Sequence, residues 1–109
     1  MRIKTKIPFE VFEALKVVGQ NLRTARVRRA LTQDELAAKC QIARNTLASM
    51  ERGDSGVALG AVFSVLWTLG LLGSVKGLAD PDLDEHGKIL QAARQVQRVR
   101  SPVMLDNDF

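Results

Sequence analysis

The chain has 109 residues, enough for one compact domain with short arms and too few for a second independent core. Hydrophobic residues make up 46% with no tyrosine, which favours an all-α core of Leu, Val and Ala over a β-sandwich. The formal charge of +4 is unevenly placed: Arg2, Lys4, Lys6, Lys16, Arg23, Arg26, Arg28 and Arg29 stand against only Glu10 and Glu13, whereas Asp80, Asp82, Asp84 and Glu85 are opposed by Lys88 alone, so that phosphate suits the first region and not the second.

One cysteine, Cys40, excludes an intramolecular disulfide and agrees with a reducing cytoplasm. With the single histidine, His86, it completes no metal constellation, and no cofactor or metal is expected. The absence of a His, Cys and carboxylate grouping, of a glycine-rich phosphate loop and of paired catalytic acids disfavours an enzyme. No apolar stretch follows the basic start, so no signal peptide is expected and the cytoplasm is the expected location. The uncharged run from Ser55 to Val75 is as long as a bilayer span, but Gly56, Gly60, Gly70, Gly73, Ser64 and Thr68 interrupt it. A break at Gly70 to Gly73 points to two short helices instead, with no membrane partner.

Ile3, Thr5 and Ile7 alternate with Arg2, Lys4 and Lys6 in a short strand-like arm that Pro8 ends. From Phe9 the spacing becomes helical, with Phe12, Leu15, Gly19, Leu22 and Arg26 on one stripe and Val11, Val18 and Ala25 beside it, predicting a first helix to about Arg29. Thr32 as N-cap with Glu35 three residues on forms a capping box, and starts a short second helix that ends near Cys40. A third helix is expected from about Ala43 to Arg52, with Leu47 and Met50 inward and Gly53 as its left-handed stop. A fourth fits Leu59 to Leu69, with Leu59, Val62, Leu66 and Leu69 on the core face and Phe63 and Trp67 off it. Leu71 to Leu78 suggests a fifth short helix. Asp82 or Asp84 then caps a last helix to about Gln95, and residues 101–109 read as a flexible tail.

The segment from Gln33 to Arg52 has the spacing of a helix-turn-helix. Counted from Gln33, such a motif needs a small residue at the fifth position, where the helices nearly touch, and apolar residues at the fourth, tenth, fifteenth and eighteenth. Those are Ala37, Leu36, Ile42, Leu47 and Met50. The third helix then lies in the major groove with its first turns toward the bases, making Arg44, Asn45 and Ser49 candidate readers. Gln33 can reach phosphate or a flanking base, and Thr32 and Thr46 suit phosphate. Arg23, Arg28 and Arg29 are either phosphate contacts or a solvated basic face.

Residues 22–37, LRTARVRRALTQDELA, followed by residues 45–53, NTLASMERG, resemble the XRE family of phage-repressor-like regulators over about Gly19 to Leu71. The resemblance implies a lambda-repressor-like, all-α, five-helix DNA-binding domain, here residues 9–79, with the strand-like arm (1–8) before it and a C-terminal helix and tail (80–109) after it. It also implies that Arg26 and Glu51 form a partly buried ion pair linking the first and third helices. The chain departs from the family at the turn, where Gln41 replaces the usual Gly, and at the next helix start, where Ala43 replaces Ser. Each departure costs on the order of 1 kcal/mol.

Outside the motif, residues 3–11 and 84–94, with Arg98 to Arg100, are similar to HipB-type antitoxin regulators, although residues 95–97 depart from the Leu-Pro-containing stretch of such tails. This resemblance implies a dimeric repressor of its own operon on a near-palindromic double-stranded operator, with a HipA-type kinase toxin as second partner. A free-standing phage-like regulator without a toxin is the alternative, and an adaptor that has lost DNA binding a further one. For the homodimer, Phe63, Trp67, Leu71 and Leu72 are the candidate interface; Trp67 could instead cover the first or the last helix.

Overall fold

The computed structural model describes residues 6–100. The chain is all-α: five α-helices and two 3-10 turns occur among the described residues, with no strand. The expected arm falls largely on residues 1–5 and the expected tail on 101–109, both outside the described residues; residues 6–8 carry no regular structure. Two compact units result, one ending at Gly73 and the other starting at Ser74.

The first unit holds α1 (Phe9–Arg28), α2 (Gln33–Cys40), α3 (Arg44–Arg52) and α4 (Leu59–Thr68). Its core is Leu22 and Ala25 from α1, Leu36 and Ala37 from α2, Leu47 and Met50 from α3, and Val65 with Leu69 from α4. Leu36, Leu47 and Val65 have no exposed surface, so the three short helices are held mainly by this shared apolar contact, not by intrinsic propensity.

The helix ends follow local chemistry. Thr32 Oγ1 accepts the Glu35 N–H at 3.1 Å while Glu35 Oε1 accepts the Thr32 N–H at 2.9 Å, the reciprocal capping box at the start of α2. The Glu35 carboxyl is held below its ordinary value, chiefly by the Thr32 backbone N–H. Ala43 caps α3 with no side-chain bond, whereas Gly53 ends it at φ 82°, a conformation that suits a residue without Cβ.

α1 and α3 come unusually close. A Cβ on Gly19 would stand 2.5 Å from the Glu51 carbonyl oxygen and 2.7 Å from that of Met50, and one on Gly53 2.8 Å from the Lys16 backbone. These glycines set where α1 begins to be covered. Leu15 is half-buried and Leu22 buried, but Phe12, expected on the buried stripe, is exposed because it lies before the α3 contact.

α4 requires a second correction. Leu59, expected on the core face, is 65% exposed, and the inner stripe is instead Ala61, Val65 and Leu69, four residues apart, with Val62 and Leu66 half-buried beside it. The helix is apolar nearly all round, so its pattern could not fix its rotation. Cys40 Sγ donates to Thr68 Oγ1 at 3.3 Å, a polar link between the ends of α2 and α4. Gly70 then turns the chain at φ 77° into a 3-10 turn over Leu72–Gly77, where a short fifth helix was expected. Within the second unit, Pro81–Leu83 forms another 3-10 turn and α5 covers Glu85–Arg100. Asp84 caps α5 by accepting the Gly87 N–H at 3.0 Å, and the helix runs past Gln95 because Ala92, Ala93 and the Gln and Arg residues after them all favour helix.

Gly19→Ala places a methyl against rigid backbone and should lower stability by about 1–3 kcal/mol in urea unfolding, more than a Gly-to-Ala change gains from helix propensity. An unchanged or raised midpoint would contradict the close approach.

Candidate nucleic-acid interface

At the centre of the first unit one charged network joins three elements. Arg26 Nε donates to Glu51 Oε2 at 2.7 Å and Nη2 to Glu51 Oε1 at 3.0 Å, a two-point pair with both side chains buried. Arg26 Nη1 also donates to the Leu31 carbonyl at 2.8 Å, in the link between α1 and α2. Gln33 Nε2 donates to Glu51 Oε1 at 3.0 Å. Thus the end of α1, the start of α2 and the middle of α3 share one set of bonds. Burial pushes the Glu51 carboxyl up, but the hydrogen bonds from Arg26 and Gln33, aided by the charges of Arg26 and Arg23, hold it below the ordinary value of 4.5. The hydrogen bond to Glu51 holds Arg26 above its own ordinary value against the desolvation that opposes it.

The turn between α2 and α3 is built by Gln41 in the left-handed conformation, φ 57° and ψ 43°. Its N–H bonds the Ala37 and Ala38 carbonyls, and the Ile42 N–H returns to Ala37 at 3.0 Å. Ala37 is buried where α2 meets α3, and Ile42 packs half-buried against the core. This fixes the first turn of α3 at the surface.

Arg44 and Asn45 are adjacent and exposed at the start of α3, Thr46 and Ser49 are half-buried, and Gln33 is half-buried behind them. Their surroundings differ. Arg44 Nε lies 3.3 Å from Asp34 Oδ1 of α2, an exposed pair that is weak and easily exchanged for another anion. Ser49 Oγ accepts from Arg52 Nη2 at 3.0 Å, which also bonds Asp54 Oδ2 at 3.1 Å. Thr32 Oγ1 is used as the cap acceptor, and its own proton remains available for a phosphate oxygen. Arg23 and Arg28 are exposed on α1, while Arg29 Nη1 is tied to the Ala25 carbonyl at 2.8 Å. The sequence reading did not single out Asp34, Arg52 or Asp54; opposite charges at the start of α2 and α3 were its only visible sign.

A family model described as a helix-turn-helix domain matches residues 17–74, more than half of the chain. The chain belongs to this helix-turn-helix family. The matched segment takes in α1 to α4, with the α2–turn–α3 pair at its centre, and so this helix-turn-helix protein is a DNA-binding regulator in its broad class. Neither the curated proteins nor the solved structures yield a match. Among the described residues no helix is long and apolar enough to cross a membrane, and no group of His, Cys, Asp or Glu could hold a metal ion.

The pH dependence of folding follows from the two shifted carboxyls. Glu51 and Glu35 both titrate below their unfolded values, so acid protonates the unfolded chain first. Their contribution is whole above about pH 4.5 and is lost as pH falls through the folded-state values. Thermal melts should therefore be level near neutrality and fall in acid. Glu51→Gln should melt lower at neutral pH and show a shallower acid limb, whereas an acid limb as steep as wild type would mean that Glu51 does not carry the effect.

Proposed function

We propose that this protein is a sequence-specific transcriptional repressor that binds a near-palindromic operator as a homodimer. The observation that carries the reading is that Arg44 and Asn45, consecutive at the first turn of α3, are both exposed, on a helix held in the core by Leu47, Met50 and Glu51. Arg can bond guanine through two donors, and Asn can donate to and accept from adenine. Ser49 follows one turn later, Thr46, Thr32 and Gln33 flank the reading turn, and Arg23 adds a phosphate contact from α1.

Two copies are required because one such module covers too little DNA for tight specific binding. Trp67, 70% exposed on α4, with Phe63, Leu71 and Leu72 near it in sequence, supplies the apolar surface for that contact. No catalytic step is needed, since occupancy of the operator blocks polymerase. Further, the chain is proposed to be the antitoxin of a type II toxin-antitoxin operon and to bind a HipA-type kinase toxin; the support is the similarity of residues 3–11 and 84–94 to such regulators. Without a kinase-like neighbour in the operon, the same DNA chemistry belongs to a free-standing regulator.

Gel-shift with the protein's own upstream DNA tests the reading helix. Arg44→Ala and Asn45→Ala should each weaken specific binding about tenfold or more, in line with about 1–3 kcal/mol per base contact. Retention of full affinity by the double variant would remove α3 from the reading role. Adding the neighbouring gene product should supershift the complex if it is the toxin.

The interface has its own test. Trp67→Ser changes an exposed side chain and should leave the chain folded while shifting sedimentation from dimer to monomer and removing any rise of melting temperature with protein concentration. A variant that sediments as wild type would place the dimer contact elsewhere.

A further inference from the structure

Glu51 touches two side chains, and only one of them is its buried ion partner. The other, Gln33, sits at the first position of α2 beside the reading turn. A carboxylate can only accept, so the atom of the Gln33 amide that faces Glu51 must be Nε2, as the 3.0 Å bond has it. Turning the amide over would set Oε1 against Glu51 Oε1, acceptor on acceptor. Gln33 Oε1 itself takes part in no hydrogen bond, and no buried side-chain oxygen or nitrogen among the described residues lacks a partner; Oε1 is therefore at the surface. Glu51 cannot swing away, because Arg26 grips both of its oxygens and is itself anchored on the Leu31 carbonyl.

We propose that Glu51 is a positioning residue for DNA reading: it holds Gln33 with its carbonyl oxygen outward, so that Gln33 meets an amino group on a base edge, adenine N6 or cytosine N4. A phosphate offers acceptor oxygens only, so it could take the remaining Nε2 hydrogen but would leave the outward carbonyl unused, whereas a base amino group bonds that carbonyl. In the major groove those two amino groups are the donors that A·T and G·C pairs present. The remaining Nε2 hydrogen is free to donate as well, which leaves Gln33 one acceptor and one donor, the pair that adenine N6 and N7 require. Unlike a Gln on a mobile surface, this one does not have to be oriented at the moment of binding. The inference rests on the DNA-binding reading given above.

Selection of binding sites from a random duplex library by the full chain tests both, and needs no known operator. Wild type should recover a motif; failure to recover any would sink the DNA reading and this proposal together. Gln33→Met removes the amide but leaves the Arg26–Glu51 pair in place, and should lower the melting temperature less than Glu51→Gln does while losing about tenfold preference for adenine or cytosine at one position of each half-site. A uniform loss of affinity with the motif intact would assign Gln33 to phosphate and overturn the proposal. Gln33→Glu keeps an outward acceptor but is repelled by Glu51, and should lose the same preference; if it keeps the preference, the hold by Glu51 is not needed.

The last arm is a double-variant cycle. Glu51→Gln should relax the adenine or cytosine preference at the Gln33 position in the wild-type background and leave that position unaltered in the Gln33→Met background, although it lowers the melting temperature in both. A change at that position that persists without the Gln33 amide would show that Glu51 does not act through Gln33.

Discussion

The placement of α3 depends on how closely it can lie on α1, and that distance is set by Gly19 and by the Arg26–Glu51 pair just beyond it. The two features require one another. Glycine lets the α3 carbonyls of Met50 and Glu51 approach α1, and the approach brings the Glu51 carboxylate within 2.7 Å of a guanidinium about two turns further along. A buried ion pair of this kind gains little net stability, because desolvation offsets much of the attraction. Its geometry is another matter: two parallel bonds between planar groups leave almost no rotational freedom, and they lock α3 about its own axis. Leu47, Met50 and Glu51 are the buried residues of α3, so the pair and the apolar core together set the rotation of that helix.

α3 needs such support because its own ends are unequal. α2 begins with two reciprocal side-chain bonds, whereas α3 begins at Ala43, whose side chain cannot accept a bond, after a turn that puts a non-glycine residue in the left-handed region. Nine residues with an uncapped start would not hold as an isolated helix. Leu47 and Met50 fix it to the core, the glycine stop fixes its end, and the Thr46 N–H, which a Ser side chain at the cap would have bonded, turns to the Ala43 carbonyl at 3.0 Å instead.

The helix-turn-helix was legible because its requirements are strict: a small residue at a helix crossing and apolar residues at fixed intervals have few alternatives, and Thr32 with Glu35 marks the start of α2 by local chemistry alone. Where the sequence carried surplus apolar residues, the reading lost its footing. α4 has apolar side chains on most of its circumference, so the stripe expected from Leu59 gave way to the one through Val65 only when the helix packed on α2. Phe12 fits the α1 stripe, but periodicity states only which residues share a face and not how far along the helix that face is covered. Gln33 stood in the sequence as a candidate DNA contact, but its bond to Glu51 joins positions 18 apart in sequence and exists only once α2 and α3 have packed. The same applies to Asp34 against Arg44.

These two ion pairs have opposite physical characters, and the contrast bears on specificity. Arg26–Glu51 is buried and fixed; Arg44–Asp34 is exposed, worth little and screened by salt. On the proposed reading, Arg44 exchanges a carboxylate for DNA at little cost, but Asp34 remains beside the duplex afterwards. Asp54, bonded to Arg52 at the far end of α3, adds another negative charge at the same surface. Carboxylates in these places repel any phosphate equally, whatever the sequence, and so lower specific and non-specific affinity by the same factor. On the proposed reading, the preference of one sequence over another must then come from the base-edge contacts, because a term common to all sequences cancels in the ratio.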